Sequence, residues 1–88
     1  DVVKVFPARA LGPSYIRDIL APMPNLKLMP TGGVGPANMK QYLEAGATLV
    51  GMGSELAGKQ LIVERKWDEI SARASVIVSS AAEIIRMR

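Results

Sequence analysis

The chain has 88 residues, of which 49% are hydrophobic, and a formal net charge of +3 at pH 7. It contains no cysteine and no histidine, which excludes a disulfide framework, a thiolate metal site and the commonest general base. Its basic residues are scattered and aromatic residues make up only 5%, which argues against a nucleic-acid surface. No apolar run approaches the ~20 residues of a membrane span, and no signal peptide opens the chain. We therefore expect a small cytoplasmic domain with no nucleic-acid or membrane partner.

Apolar runs alternate with helical patterns along the chain and predict about three strand-helix units. The strands are predicted at residues 2–6, 26–29 and 48–52, and the helices at about 13–21, 36–45, 54–64 and 67–86. Such alternation implies parallel strands joined by right-handed crossovers. Three strands are too few for a closed barrel, which takes eight. The pattern predicts an α/β fold, either the last part of a (β/α)₈ barrel or a small piece of a doubly wound sheet. Because an apolar strand begins directly after Asp1, we expect a longer parent protein.

Three loops follow the predicted strands, and two of them are rich in glycine. PARALG follows the first strand, TGGVG the second, and the third ends in GMGS. Ligands of parallel α/β folds bind at the carboxyl ends of strands, and glycine lets backbone N–H groups approach an anion closely. Gly32, Gly33, Gly53 and Ser54 are therefore candidates for binding phosphate. The alternative is that these glycines only allow tight turns.

The first predicted strand carries a lysine among apolar residues. Lys4 shares a face with Val2 and Phe6, because side chains alternate along a strand. An apolar setting disfavours the ammonium and lowers the pKa of a lysine, and the neutral amine can form a Schiff base with a carbonyl. Alternatively, Lys4 extends from the strand end to solvent. Spacing alone favours this second interpretation.

Five motifs follow one another along the chain: KVFPA, LGPSYIRDILAPMPNLKLMPTGGV, Asn38, YLEAGA and VGMGS. In this order and spacing they resemble the C-terminal part of the 2-keto-3-deoxy-6-phosphogluconate (KDPG) aldolase family, which includes the 4-hydroxy-2-oxoglutarate aldolases. The resemblance covers residues 1 to about 66. It implies the C-terminal portion of a (β/α)₈ TIM barrel, usually a homotrimer, whose sixth strand is the first one here. It also implies a class I aldolase that acts on a small-molecule keto acid with no metal and no cofactor.

The resemblance also implies roles for single residues. Lys4 matches the Schiff-base lysine, whose amine would attack the C2 carbonyl of the keto acid, and Phe6 matches the aromatic wall of the pyruvate pocket. Pro30 and Thr31 match the substrate-contacting turn. The phosphate binders are matched by Gly32, Gly33, Gly53 and Ser54. Cleavage of KDPG would then give pyruvate and glyceraldehyde 3-phosphate.

Other functions stay open because one position departs from the family pattern, and because two functional residues of the family belong to a part that these 88 residues do not include. Arg9 stands where the family often has an acidic residue. The family's general-base glutamate and carboxylate-binding arginine belong to its N-terminal half, while Glu44, Glu55 and Glu64 have the pattern of solvated surface groups. The alternatives are a 4-hydroxy-2-oxoglutarate or 2-keto-3-deoxy-6-phosphogalactonate aldolase, a non-catalytic phosphate-binding half-barrel, and a purely structural fragment.

Overall fold

The computed structural model describes residues 1–88, which form an α/β fold on a two-stranded parallel sheet. The strands are β1 (Val2–Val5) and β2 (Lys27–Pro30). The helices are α1 (Ala8–Leu11), α2 (Pro13–Leu20), α3 (Met39–Glu44), α4 (Lys59–Val63) and α5 (Trp67–Met87). The strands pair from Val2 with Lys27 to Val5 with Pro30, and α1 and α2 connect them. The predicted first and second strands are thus confirmed, with ends shifted by one residue.

The predicted third strand, residues 48–52, is wrong as a regular strand. The segment lies beside β2, where the Thr48 amide donates to the Leu28 carbonyl at 3.0 Å and the Gly51 amide donates to the Pro30 carbonyl at 2.9 Å. Three residues along this segment therefore match two along β2. The extra residue breaks the even spacing of a parallel ladder, so that only one isolated bridge forms beyond it. The apolar composition predicts a strand here but does not reveal the extra residue.

The predicted helices are present, but two begin later than expected. Helix α3 begins at Met39 because the preceding residues form a turn, in which the Gly35 amide donates to Asn38 Oδ1 at 2.8 Å. Helix α4 begins at Lys59 because Gly58 is extended, with φ −63° and ψ 157°, and separates it from an earlier turn. The PARALG loop contains the short helix α1, which the sequence pattern does not predict. The long last helix, α5, is confirmed almost to the residue.

The core lies between one face of the sheet and the helices. It consists of ten buried residues: Val5, Ala8, Ile16, Leu28, Val34, Met39, Tyr42, Leu43, Ala45 and Ala47. Helix α5 adds Ile77, Ala81 and Ile84, which are partly buried against this cluster and lie at helical spacing. None of the helices combines the length and the apolar character that a membrane crossing requires.

Candidate functional site

Lys4 lies on the exposed face of the sheet, opposite the core. Side chains alternate along β1, so Val5 points into the core and Lys4 points away from it. The register pairs Lys4 with Met29 and Val2 with Lys27, which places these four side chains on one face. Val2, Lys4 and Lys27 are exposed, while Met29 is half-buried. The Lys4 amine is therefore open to a small molecule that approaches from this side.

Phe6 and Thr31 lie at the carboxyl ends of the two strands, on the side of Lys4. The Lys4 Nζ is 5.5 Å from the centroid of the Phe6 ring, within the range of a cation–π contact. Thr31 continues β2 and donates its amide to the Val5 carbonyl at 2.9 Å. A Cβ on Gly51 would lie 3.0 Å from Thr31 Oγ1, so a larger residue there would press on this side chain. The structure thus brings together three of the predicted site residues.

Pro30 lies on the opposite face of the sheet from Thr31. It pairs with Val5, and its side chain is less than 2% exposed. Only its backbone takes part in the edge of the sheet, where its carbonyl accepts the Gly51 amide. This position follows from the register of the two strands, which puts residues 29 and 31 on the face of Lys4 and residue 30 on the core side. The Pro30 ring consequently supports the loop from the core side.

Gly32 and Gly33 form a tight loop after β2. Both have φ of +87°, a conformation that favours glycine, and a Cβ on Gly32 would lie 2.7 Å from Phe6 Cε1. The loop carbonyls already have partners, because Gly32 O accepts the Arg9 amide and Gly33 O accepts Asn38 Nδ2, both at 2.9 Å. The amides of Gly32 and Gly33 donate to no group of the chain. These two N–H groups are therefore available to an external acceptor.

Gly53 and Ser54 form a second loop beside the first. A Cβ on Gly35 would lie 2.9 Å from Cβ and Cγ of Glu55, which shows how closely the two loops approach. The Gly53 and Ser54 amides also have no acceptor within the chain. The Ser54 hydroxyl, however, donates to Glu55 Oε2 at 2.6 Å. This loop therefore offers N–H donors next to a carboxylate.

Two side chains fix the first glycine loop and helix α1, and their partners are not evident from the sequence. Asn38 accepts the Gly35 amide and donates to Gly33 O, so it closes the first loop from within. Tyr42 donates its hydroxyl to the Ala8 carbonyl at 3.1 Å and ties α3 to α1. Burial raises the pKa of Tyr42 above its ordinary value. The inward position of Tyr42 is predicted by helical spacing, but its partner lies 34 residues away along the chain.

Comparison with known proteins decides the family. The family model for KDPG and KHG aldolase matches residues 1–73 of the 88. The chain belongs to the KDPG and KHG aldolase family. The resemblance inferred from the motifs is thereby confirmed, and the match extends into the first part of α5.

Individual relatives agree with membership of the KDPG and KHG aldolase family. The chain is 37% identical over 73 residues to the 2-dehydro-3-deoxy-6-phosphogalactonate aldolase of Escherichia coli (strain K12), covering 82% of this chain and 36% of that protein. It is 42% identical over 71 residues to the 2-dehydro-3-deoxy-phosphogluconate aldolase of Haemophilus influenzae, covering 80% and 34%. The chain thus spans roughly a third of the length of these relatives.

Two solved structures resemble the fold. One is described as a native KDPGal structure and has a TM-score of 0.72 at 31% identity, covering 93% of this chain and 40% of the other. The second is a cube-shaped protein cage designed by fusing symmetric oligomeric domains, with a TM-score of 0.80 at 28% identity, covering 98% and 31%. Both support the same arrangement of strands and helices.

The most apolar groove of the molecule lies away from Lys4. It measures about 280 Å³ and is bounded by α3, the segment at 48–52 and α5. Eleven of its twelve lining residues are hydrophobic, and the remaining one is Thr48. It offers no titratable group for the chemistry of an aldolase. No group of three or more Asp or Glu side chains is positioned to hold a metal ion.

Proposed function

We propose that the chain forms the C-terminal part of a class I aldolase that cleaves KDPG to pyruvate and glyceraldehyde 3-phosphate. The observation that carries this proposal is the position of Lys4, whose amine lies on the exposed face of β1 beside the Phe6 ring. Thr31 and the Gly32–Gly33 loop begin at the same edge of the sheet. Family membership supports the reaction type.

In this proposal, residues 1–88 belong to one (β/α)₈ barrel domain whose other strands lie outside them. The helices of such a barrel form the outer ring, and side chains on the other face of the sheet point inward. Helices α2 and α3 contribute buried residues to the core, whereas the face of Lys4 is exposed. Val2, which shares the face of Lys4, is an apolar residue that is 48% exposed, as expected if its neighbours belong to other strands of the barrel. The exposed face would then be part of the barrel interior.

The reaction would begin with the attack of Lys4 Nζ on the C2 carbonyl carbon of the keto acid. Loss of water gives an imine, whose protonated form accepts the electron pair when the C3–C4 bond breaks. The aldehyde leaves, and the resulting enamine is protonated and hydrolysed to pyruvate and the free lysine. Phe6 would form one wall around the pyruvate unit, and Thr31 would contact it from the neighbouring strand. The imine itself is the electron sink, so this scheme uses neither a metal nor a cofactor.

A base must also remove the proton of the C4 hydroxyl during cleavage. Glu44 and Glu64 are exposed on or next to helices, and Glu55 is held by the Ser54 hydroxyl. We therefore assign the base, and the group that binds the substrate carboxylate, to the remainder of the barrel. Without a base, proton transfer in such a step typically slows by about 10²- to 10⁴-fold.

A second candidate is cleavage of the phosphogalactonate analogue. The relatives named for the two substrates are similarly close to this chain, at 42% and 37% identity. Initial rates with both phosphorylated keto acids, and with 4-hydroxy-2-oxoglutarate, would rank the substrates. A higher kcat/KM for the galactonate compound would replace KDPG in this proposal without changing the role of Lys4.

The decisive experiment is to trap the imine with pyruvate and borohydride and to locate the adduct by peptide mass spectrometry. We expect modification of Lys4 and none in Lys4→Arg. Lys27→Arg is a matched control, because Lys27 lies on the same face of the sheet, at the amino end of β2. An adduct spread over all lysines, or one that persists in Lys4→Arg, would contradict the proposal.

We further propose that the complete protein is a homo-oligomer, a trimer as the family resemblance implies. Large apolar side chains that are exposed on the helices support association, among them Val63 at 68% and Val76 at 66% exposure. Light scattering coupled to size-exclusion chromatography would measure the assembly. A monomer at micromolar concentration would contradict this part of the proposal.

A further inference from the structure

Arg9 lies against the Gly32–Gly33 loop with no partner for its charge. Its amide donates to the Gly32 carbonyl at 2.9 Å. A Cβ on Gly33 would lie 2.6 Å from Arg9 Cβ and 3.1 Å from its Cγ and Cδ, so the arginine stem crosses directly over this glycine. The three salt bridges of the chain involve other residues, and so do the hydrogen bonds made by its arginine side chains. The guanidinium is therefore free to bind an external anion.

Arg9 is the last of a series of groups that begins at Lys4 and runs along the carboxyl edge of the sheet. The Lys4 amine lies 5.5 Å from the Phe6 ring, and the ring edge packs against Gly32. Gly33 comes next, and the aliphatic part of the Arg9 side chain packs against it. A substrate whose carbonyl is at Lys4 and whose chain runs past the Phe6 ring would bring its far end to the glycine amides and the guanidinium.

The second glycine loop, at Gly53 and Ser54, has a carboxylate beside it, whereas the first loop has the guanidinium of Arg9. Glu55 holds the Ser54 hydroxyl at 2.6 Å and packs its stem against Gly35. A phosphate monoester carries nearly two negative charges at pH 7, and a neighbouring carboxylate repels it. Glu55 lies close to both loops, because Gly35 ends the first one, but only the first loop also has a cation, Arg9, packed against it. The first loop is therefore the favoured one for phosphate.

We propose that Arg9 is a specificity-determining residue that binds the distal phosphate of the substrate together with the amides of Gly32 and Gly33. Guanidinium and backbone N–H groups form short, charge-assisted hydrogen bonds to phosphate oxygens. The proposal rests on the proposed aldolase function for the position of the substrate carbonyl. The binding of phosphate at this loop can be tested without turnover.

The first test is a titration of the protein with inorganic phosphate, followed by the amide resonances of Gly32 and Gly33 in ¹⁵N-correlated NMR spectra. We expect both amides to shift, and we expect Arg9→Gln to raise Kd by about 3- to 10-fold, since the exposed charge is partly screened by solvent. Arg9→Lys keeps the charge and should fall between the two. Arg17→Gln removes the same charge from the exposed surface of α2 and should leave Kd unchanged. Equal Kd values for the wild type and Arg9→Gln would overturn the proposal.

The second test separates phosphate recognition from a structural role. KM is measured for a phosphorylated 2-keto-3-deoxy acid and for the same acid without phosphate. We expect Arg9→Gln to raise KM only for the phosphorylated compound, with kcat retained. An equal change for both compounds would mean that Arg9 only supports the loop, and the proposal would be wrong. If the wild type formed no imine on Lys4, the aldolase function would fail, while the phosphate titration would still decide the role of Arg9.

Discussion

Replacing Tyr42 with phenylalanine tests how α1, and with it Arg9, is attached to the core. The Tyr42 side chain is 2% exposed, and its hydroxyl donates to the Ala8 carbonyl at 3.1 Å. That carbonyl keeps a second partner, the Gly12 amide at 2.8 Å, so the substitution removes one hydrogen bond and strands no acceptor. We expect Tyr42→Phe to lower the free energy of unfolding by about 1 kcal/mol, the usual net value of such a bond.

The same substitution should change the response to alkaline pH. Burial raises the pKa of Tyr42 above its ordinary value of 10.0, because desolvation penalises the phenolate. Well below pH 10.0 the phenol is neutral in both the folded and the unfolded chain, so its contribution to the free energy of unfolding does not vary with pH. Above it the unfolded chain ionises first, and stability falls as pH rises towards the folded-state pKa, by at most about 1.4 kcal/mol per pH unit. Tyr42→Phe lacks this contribution.

Urea denaturation followed by circular dichroism, at pH values from neutral to alkaline, measures both effects. Tyr15→Phe is the matched control, because Tyr15 is the other tyrosine of the chain and is 40% exposed. We expect the wild type and Tyr15→Phe to lose stability together in alkali, and Tyr42→Phe to decline less steeply. Identical profiles for the wild type and Tyr42→Phe would refute the assignment of a buried, hydrogen-bonded phenol.

Two further predictions concern the packing of the helices. Gly46→Ala should lower the free energy of unfolding by about 1–3 kcal/mol, because Gly46 has φ of +115° and a Cβ there would lie 2.7 Å from Leu20 Cδ1; a thermal melt matching the wild type would contradict this strain. Arg88→Ala should cost about 1–2 kcal/mol, since its guanidinium donates to two carbonyls at and just beyond the end of α3, at 2.6 and 2.7 Å. Arg86→Ala breaks only an exposed ion pair and should cost less than about 0.5 kcal/mol. Hydrogen exchange in α5 should become faster in Arg88→Ala alone, and equal exchange in both variants would count against the contact.

The order of the elements and the face of Lys4 follow from the sequence alone. Apolar runs that alternate with helical patterns are local features, and they predict β1, β2 and α5 closely. The alternation of side chains along a strand places Lys4 and Phe6 on one face, whereas the burial of Pro30 depends on the register of β2 against β1 and on the helices that cover the sheet. The glycine loops are likewise visible, since φ of +87° at Gly32 and Gly33 demands a residue without a side chain.

Only the tertiary structure decides which distant groups meet. The extra residue at 48–52 becomes apparent only when the segment is laid against β2. Tyr42 finds its partner 34 residues away, and the Arg9 stem crosses a glycine that follows a different strand. Spacing rules act over two to four residues, whereas these contacts depend on how separate elements pack together. The sequence by itself therefore determines which residues can carry the chemistry of this protein, and packing between distant segments determines which of them stand together around Lys4.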